Sequence, residues 1–394
     1  MSYMKSDKRE TNGSFDCCRR VSFPNRRMST VMTKMNIRLA TFACVLGLAL
    51  TSSAHASINY SNILKNLSPI MQAGAPPDTP GNRVDPNVPG SPFSGVVSVN
   101  IRYANGDSFI CSGTLVSKRD VITAGHCVDS DGNGTLIDIN APGNDVRVVF
   151  NSQPNAGDPG RAIITADAVS MNPDYEGFGN CPVGVLGFCV NDDVAVIHMN
   201  LDAPDTAKIY SVWDGNVSTG QLDVMAGYGT SGDGVNGFFV SPDFRVKRDG
   251  QNIMDLFDLN DEQNFAGPQE VWYSDFDGNG QDTFCDLFGV CTPQLANDVE
   301  TALGGGDSGG PSFMFHNGQY ILMGNNTFSG RFQGQVAGTF GTYFGGMLLD
   351  PYLDYLLDAT DGRIKIVSAP EPASITLMLA ALGVVGAASR RRNK

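Results

Sequence analysis

The sequence predicts an all-β fold with one helix near its C-terminal end. Between residues 95 and 345, short runs rich in Val, Ile, Phe and Tyr alternate with Gly, Asn and Asp turns, as in 146–150 and 320–323. Residues 350–357 then begin with Asp-Pro and continue with apolar residues at helical spacing. A body of this length is the size of a single large β domain.

A glycine-rich turn holds the candidate nucleophile. Ser308 lies within the segment GGGDSGGP, residues 304–311. Glycine adopts backbone angles that a Cβ forbids, and such a turn lets amide N–H groups point into the space beside the hydroxyl. That space suits an oxyanion. Because the chain has 46 glycines, an ordinary surface turn is the alternative until other motifs are considered.

Two upstream motifs supply a base and an acid. His126 lies in the segment VITAGHC, and Asp193 stands directly before the apolar run VAVI. Histidine, aspartate and serine therefore follow one another along the chain, which are the residue types that activate a serine nucleophile. Asp192, directly before it, is the rival for the acid role.

These three motifs resemble those of the trypsin-like serine endopeptidases, whose hallmark segments are similar to TAGHC, DDVAVI and GDSGGP. The resemblance covers roughly residues 84–360 and implies the chymotrypsin fold, with two six-stranded antiparallel β-barrels and a C-terminal helix. It implies that His126 and Asp193 lie on the first barrel and Ser308 on the second. A polypeptide substrate is then expected in the cleft between them.

The same resemblance implies a role for each residue. Ser308 attacks the peptide carbonyl, His126 removes its proton and later returns it to the leaving amine, and Asp193 orients the imidazole. The N–H groups of Gly306 and Ser308 are expected to bind the oxyanion. This chemistry requires no cofactor.

The resemblance also places the specificity pocket at Ala302, Ser329 and Gly341. Trypsin carries an acid where Ala302 stands, so we expect a small or apolar substrate side chain rather than Lys or Arg.

Activation in these proteases often follows a cut after a basic residue, which frees a β-branched N-terminus that pairs with the aspartate before the catalytic serine. Here the cut would follow Arg83, and Val84 would pair with Asp307. The residues after Val84 are not the glycines usual in the family, so an incidental Arg-Val pair in a loop is the alternative.

The N-terminal region is predicted to be a targeting segment. Residues 1–56 comprise a polar, basic extension and a secretory signal peptide, with an apolar run at 39–50 and cleavage after Ala56. Residues 57–83 are polar and contain Pro and Gly, which indicates a linker or short propeptide. Three methionines are alternative starts: Met28, Met32 and Met35.

The C-terminal region, residues 361–394, consists of a linker and a tripartite tail. A Pro-Glu-Pro segment at 370–372 precedes an apolar stretch at 375–388 and three arginines. The tail resembles the PEP-CTERM sorting signal of Gram-negative bacteria, which implies recognition by an exosortase-type enzyme and membrane contact through a transmembrane segment before processing. We therefore expect Sec export to the envelope, surface or extracellular space. A plain tail anchor is the alternative.

Six cysteines follow the signal region, and an even number in an exported domain predicts disulfides. Proximity along the chain suggests three pairs, of which the resemblance supports the first: Cys111 with Cys127, Cys181 with Cys189, and Cys285 with Cys291.

Two acidic loops have oxygen-bearing side chains at alternate positions followed by glycine, the pattern of a Ca²⁺ loop. Ordinary Asp/Asn/Gly turn chemistry is the alternative. The candidate ligands are Asp129, Asp131 and Asn133 in the first loop, and Asp275, Asp277 and Asn279 in the second.

The charge of the chain excludes some partners. Its formal net charge is −14, and the basic residues concentrate at its two ends, so the part between them is more acidic still. Such a surface argues against nucleic acid and anionic lipid as partners. We expect a monomer.

Two other hypotheses for the function remain. One is a non-catalytic binding or matrix protein on the protease scaffold, associated with extracellular polysaccharide, and the other is a Ca²⁺-dependent adhesin.

Overall fold

The computed structural model describes residues 71–368, except Pro154 and Ala156. The predicted signal peptide, the first part of the predicted linker and the sorting tail from residue 369 onward lie outside the described residues. The predicted all-β class is confirmed by the described part of the chain.

The first half forms a closed antiparallel barrel. Apolar residues from these strands, many of them Val and Ile as the sequence predicted, are buried together in one cluster. Around the barrel the order is β1-β2-β3-β6-β5-β4, with these bounds: β1 Val96–Arg102, β2 Ser108–Leu115, β3 Asp120–Thr123, β4 Asp145–Asn151, β5 Arg161–Met171 and β6 Ala195–Met199.

The second half is a nine-stranded sheet with a separate hairpin, β9–β10. The main path runs β11-β8-β14-β15-β16-β13-β12, and β7 joins it at β15 with β17 beside it. The bounds are β7 Val212–Asp214, β8 Gln221–Gly227, β9 Ser231–Asp233, β10 Gly237–Val240, β11 Arg248–Met254, β12 Leu256–Asn260, β13 Ala266–Asp275, β14 Pro311–His316, β15 Gln319–Gly330, β16 Tyr343–Leu348 and β17 Ile366–Ser368.

This second sheet differs from the six-stranded barrel that was expected, and the reason is one bent strand. The two ends of the path, β11 and β12, are separated in the chain only by Asp255. The first half of this strand pairs with β8 and the second half with β13. If β11 and β12 are counted as one bent strand, six strands go around the path, and the backbone itself joins its ends.

Two short α-helices lie in the second half. Helix α1, Thr283–Phe288, is capped by Asp282, whose carboxylate accepts a hydrogen bond from the Cys285 amide. Helix α2, Leu353–Ala359, follows a 3₁₀ turn at Asp350–Tyr352 with proline in its first turn. This confirms the predicted helix near the C-terminal end. Within residues 71–368, no helix has the length and apolar character needed to cross a bilayer.

Three disulfides join the cysteine pairs that lie close in sequence. The Cys111–Cys127 bond links β2 to the turn that follows β3. The Cys181–Cys189 bond closes the long loop between β5 and β6, and the Cys285–Cys291 bond ties helix α1 to the segment after it.

A shared apolar core joins the two halves. Ile122 and Val196 of the first barrel belong to the same buried cluster as Val224 and Phe313 of the second sheet. All four side chains are nearly or fully buried, and burying one such side chain contributes about 1.5–3 kcal/mol. The halves are therefore packed as one body, with their facing surfaces fixed.

Residues 71–83, predicted as part of a linker or propeptide, instead belong to the folded body. Met71, Gln72 and Ala73 are fully buried. The Gln72 amide donates to the Ala302 carbonyl (2.8 Å), and the Ala73 amide donates to the Gly232 carbonyl (3.0 Å). The segment is thus held by the second sheet. Sequence composition could not show this, because the contacts are made by residues more than a hundred positions away.

Arg83 anchors the end of this segment. Its side chain is 5% exposed and forms a buried ion pair with Asp78 (2.7 Å). The guanidinium also donates to the Val299 and Glu300 carbonyls at 2.8 and 2.9 Å. A protease that cuts after Arg83 needs this side chain in its pocket, and the folded protein withholds it.

We predict that Arg83→Met lowers the free energy of unfolding by about 3–5 kcal/mol, because it leaves the Asp78 carboxylate buried without its counter-charge. Chemical denaturation measures this. Arg147→Met is the matched control, since Arg147 is 47% exposed beside Asp145 and a surface pair is worth about 0–1 kcal/mol. Equal effects of the two substitutions would contradict the anchoring role of Arg83.

Candidate active site

His126 is positioned by a short 3₁₀ turn, Gly125–Cys127, at the end of β3. Its backbone amide donates to Asp193 Oδ1 (2.6 Å), and its ring Nδ1 lies 2.7 Å from Asp193 Oδ2. With Nδ1 protonated and donating to the carboxylate, Nε2 is left as the free base. The turn and the ring are therefore both fixed by one carboxylate.

The acid beside the histidine is Asp193, and Asp192 turns elsewhere. Asp193 has no exposed side-chain area. Asp192 Oδ1 instead accepts from Asn172 Nδ2 (3.1 Å). Asn325 of β15 donates to the Asp193 carbonyl (3.1 Å) and to the Thr123 carbonyl (3.3 Å), so the second sheet holds the backbone of both loops.

The charge of Asp193 changes the acidity of His126. Burial lowers the pKa of the imidazole, but the negative charge of Asp193 and its hydrogen bond more than offset this, so the pKa is raised above 6.5. About a quarter of the imidazole remains exposed. The ring is thus a base that can reach a ligand in the cleft.

Ser308 lies on a turn that packs against the histidine loop. Its carbonyl accepts from the Ser112 amide of β2 (2.8 Å). Cys127 Sγ lies 3.8 Å from that carbonyl and 3.9 Å from His126 Nε2. A Cβ on Gly309, whose φ is +77°, would collide with Thr123 Oγ1 and the Ala124 amide. The missing side chain is what allows this close approach.

The turn leaves two amides available. Gly306 has φ of +105°, a conformation that L side chains rarely adopt. The Gly305 carbonyl, which belongs to the same peptide unit as the Gly306 amide, accepts from the Thr230 amide (2.8 Å), and this fixes the orientation of that peptide. Among the described residues, neither the Gly306 amide nor the Ser308 amide donates to a protein acceptor. Two fixed donors beside a serine are the elements of an oxyanion hole.

Asp307 is buried beneath the turn, and its neighbours differ from those expected. Its carboxylate accepts from the amides of Gly229 (2.8 Å), Gly304 (3.0 Å) and Met71. Burial raises the pKa of this carboxyl to about 7, although these bonds and the charge of Arg248 oppose the shift.

The expected pairing of Val84 with Asp307 is absent. Val84 forms a β-bridge with Arg248, and its side chain is 41% exposed. The chain segment that reaches Asp307 is the one at Met71, thirteen residues earlier in the sequence.

The structure places two of the three predicted pocket residues in one small cavity. Ala302 and Ser329 line a recess of about 10 Å³, together with Arg331 and Tyr343, roughly room for one water molecule. Gly341 lies beside the recess and does not line it. Arg331 and Tyr343 carry no motif and could not be found from the sequence.

Comparison with known families identifies two regions of the chain. Residues 85–241 match the family model described as Trypsin, and residues 368–392 match the PEP-CTERM protein-sorting motif. Residues 85–241 therefore form a region of trypsin-family sequence. The matched range contains His126 and Asp193 and ends before Ser308.

Structure and sequence searches add the following. A solved structure described as HL collagenase is similar at 17% identity, with a TM-score of 0.41, over 68% of this chain and 94% of the collagenase. A search of curated protein sequences returned no match. The sorting motif and the disulfides indicate that the trypsin-family domain is exported and associated with the cell envelope.

Phe178 is a site residue of this trypsin-family domain that the sequence did not reveal. Its ring meets the His126 ring edge-on, with centroids 5.7 Å apart, and lies 6.4 Å from Phe328 of β15. The loop that carries it is closed by the Cys181–Cys189 bond. Phe178 therefore forms an apolar wall between the two halves of the site. An aromatic residue in a Gly- and Cys-rich loop gives no signal of such a position.

The two acidic loops that were candidate Ca²⁺ sites differ in structure. In the first, Asp129 accepts hydrogen bonds from the amides of Gly132 and Gly134 (3.0 Å each), and Asp131 accepts from the Asn133 amide (2.9 Å). Its carboxylates are thus used by the loop itself, as in ordinary turn chemistry.

The second acidic loop gathers carboxylates. Oxygens of Asp275, Asp277 and Asp282 lie within 4.8 Å of one another, whereas Asn279 is exposed and outside this group. Asp277 Oδ1 is buried without a hydrogen-bond partner. Burial, and then the charges of Asp275 and Asp282, raise the pKa of Asp277 to about 9.

We predict that the pKa of His126 falls below 6.5 in Asp193→Asn. The substitution removes the charge that raises the pKa and leaves the burial that lowers it. In the unaltered protein, kcat/KM should decline as pH falls through the raised pKa, because the protonated ring cannot act as a base. NMR titration of the His126 ring measures the shift.

Asp167→Asn is the control for that titration, since Asp167 is an exposed acid on β5 of the same barrel. An unchanged pKa in Asp193→Asn would show that the carboxylate does not set the acidity of His126.

Proposed function

We propose that this protein is an exported serine endopeptidase that hydrolyses peptide bonds through an acyl-enzyme. The observation that carries the proposal is the pair of hydrogen bonds from His126 to the buried Asp193, beside the Ser308 turn and its two free amides. A merely structural histidine needs neither a buried acid nor open amides next to it.

Each group has a role in the proposed mechanism. His126 Nε2 takes the proton from Ser308 Oγ as the hydroxyl attacks the peptide carbonyl, and returns it to the leaving amine. Asp193 keeps Nδ1 protonated and stabilises the imidazolium that forms. Water then attacks the acyl-enzyme with the same base.

The Gly306 and Ser308 amides support the second part of the mechanism. They are fixed before substrate arrives, because the carbonyls of their own peptide units are held: the Gly305 carbonyl accepts from the Thr230 amide and the Asp307 carbonyl from the Gly310 amide (2.8 Å each). Donors that need no reorganisation stabilise the developing oxyanion by about 3 kcal/mol each.

Maturation is proposed to involve the segment at Met71 rather than Val84. The Met71 amide already donates to Asp307, and Arg83 is buried. A cut before Met71 would place an ammonium at this carboxylate, whereas a cut before Val84 would require the segment to leave the second sheet.

Export is proposed to use the Sec pathway of a Gram-negative host, with an exosortase-type enzyme acting on the tail. The PEP-CTERM match at residues 368–392 supports this. The last described strand, β17, ends at Ser368, where the matched motif begins.

We also propose a structural Ca²⁺ at the second acidic loop, held by Asp275, Asp277 and Asp282. The partnerless Asp277 Oδ1 supports it, as do the buried carboxylates of Asp255 and Glu300, whose charges act on Asp277. None of these five acids forms an ion pair with a described basic residue. Asp282 replaces Asn279 in the ligand set that the sequence suggested.

We predict that a fluorophosphonate probe labels the mature protein and that Ser308→Ala abolishes labelling. His126→Ala should lower kcat by at least about 10⁴-fold, because the remaining rate comes from the oxyanion hole and binding alone. Gel fluorescence and peptide hydrolysis measure the two effects.

Asp167→Asn is again the control and should label fully. Absence of labelling in a folded, matured sample would favour the non-catalytic scaffold. The N-terminus of the labelled protein, read by mass spectrometry, distinguishes a start at Met71 from one at Val84.

We predict a preference for a small side chain, such as Ala, at the residue before the cleaved bond. The recess between Ala302 and Ser329 is small, and Tyr343 limits its size. Substrates with Phe or Arg there should show kcat/KM lower by about 10–200-fold. Ser329→Gly should enlarge the recess and so reduce the difference in kcat/KM between substrates with Ala and substrates with Phe or Arg at that position. A peptide series varied at that one position tests this, and faster cleavage after Phe or Arg would overturn it.

A further inference from the structure

A second group of carboxylates lies directly behind the acid of the active site. Oxygens of Asp192, Asp261 and Glu262 lie within 4.8 Å of one another. Asp192 belongs to the loop before β6 of the first barrel. Asp261 and Glu262 begin the turn between β12 and β13 of the second sheet. The group therefore spans the two halves of the domain.

The three carboxylates act on one another electrostatically. The charge of Glu262 acts on both Asp192 and Asp261. Asp192 is 4% exposed and Asp261 is 2% exposed, while Glu262 closes the group from the solvent side. A fourth carboxylate, Glu270, is buried beside them, and its charge acts on Asp192 and Asp261.

No basic side chain among the described residues compensates the negative charge of these four acids. No Lys, Arg or His forms an ion pair with any of the four acids. Asn172 donates to Asp192 (3.1 Å), and Asn191 and Asn260 donate to Glu270 (2.7 and 2.6 Å). These neutral amides satisfy some oxygens without changing the net charge.

One oxygen in the group has no partner at all. Asp261 Oδ1 is buried and accepts no hydrogen bond. A buried carboxylate oxygen without a donor costs about 1–3 kcal/mol or more, and like charges in contact add to that cost. Such an oxygen, placed among other carboxylates, calls for a positively charged ligand.

We propose that Asp192, Asp261 and Glu262 form a Ca²⁺ site that ties the Asp193 loop to the β12–β13 turn. The ligand set consists only of oxygen atoms, which suits a hard cation and excludes the nitrogen and sulfur preferences of Zn²⁺. Adjacent carboxylates at irregular spacing fit the flexible coordination of Ca²⁺ better than the strict octahedron of Mg²⁺.

The position of the site connects it to the catalytic acid. Asp192 has φ of +64°, a left-handed conformation that Asp tolerates better than most residues. Asp193 bonds His126 while Asp192 faces the second sheet. A cation held by Asp192 would therefore fix the backbone from which Asp193 reaches His126. This consequence rests on the proposed protease function, whereas the binding itself does not.

Calorimetric titration of the purified full chain with CaCl₂, after EDTA treatment, tests the proposal. Glu262→Gln is the main variant because Glu262 is exposed and its loss leaves the core intact. We expect Ca²⁺ at this site to bind at least tenfold more weakly in Glu262→Gln and in Asp261→Asn. Asp277→Asn, in the separate acidic loop, should leave this site unchanged.

The melting temperature is a second test, because the effect of Glu262→Gln on it should differ between EDTA and saturating Ca²⁺. In EDTA, Glu262→Gln should melt at the same temperature as the unaltered protein or higher, because it removes like-charge contact. With saturating Ca²⁺ it should melt lower, because the bound ion stabilises only the unaltered site. Asp167→Asn should shift neither value.

Two results would overturn the proposal. One is Ca²⁺ binding that is identical in the unaltered protein and in Glu262→Gln. The other is melting that is independent of Ca²⁺, which would mean that the carboxylates share protons instead of a cation. Loss of protease activity alone decides nothing about binding, so a failed protease function and a failed Ca²⁺ site are told apart.

Discussion

The buried carboxylate of Asp193 is the constraint on which the rest of the site depends. A charge with no exposed surface must be met by hydrogen-bond donors, and His126 supplies both its amide and its ring Nδ1. These two hydrogen bonds fix the turn after β3 as well as the imidazole. The Ser308 turn packs against the same turn through Cys127. The Asp193 carboxylate therefore holds the His126 turn, and Cys127 of that turn contacts the Ser308 carbonyl.

The short-range motifs could be identified from the sequence because each one depends on the backbone conformation of only a few neighbouring residues. The glycines around Ser308, the His-Cys pair and the acid before an apolar strand each express a local backbone requirement. The bend at Asp255 is different, because it shows only when β8 and β13 are seen to pair with the two halves of one strand. The Met71 contact with Asp307 is likewise a matter of tertiary packing. The sequence pattern thus predicted the fold class and the candidate triad residues. It did not predict how the two ends of the second sheet are joined or where the segment at Met71 packs.

The acidic composition has a structural counterpart in the second sheet. Glu270 and Glu300 are buried at 2% exposure, although such residues are almost never fully buried unless paired. Glu300 belongs to the group of acids around Asp277, and Glu270 belongs to the group around Asp261. Each group contains a buried carboxylate oxygen without a hydrogen-bond partner. The acidic loop at 275 was visible from its spacing. The group at Asp261 was not, because its members come from distant parts of the chain.

The adjacent residues Asp192 and Asp193 show how one short segment can serve two purposes. A left-handed residue reverses the usual course of the backbone, so the two carboxylates enter different environments. Asp193 meets the histidine, and Asp192 meets two acids of the second sheet. Repulsion among those acids would push the Asp193 loop away from the sheet, whereas a bound cation would pull it in. Because the charge of Asp193 raises the pKa of His126, a movement of the Asp193 loop would change that pKa.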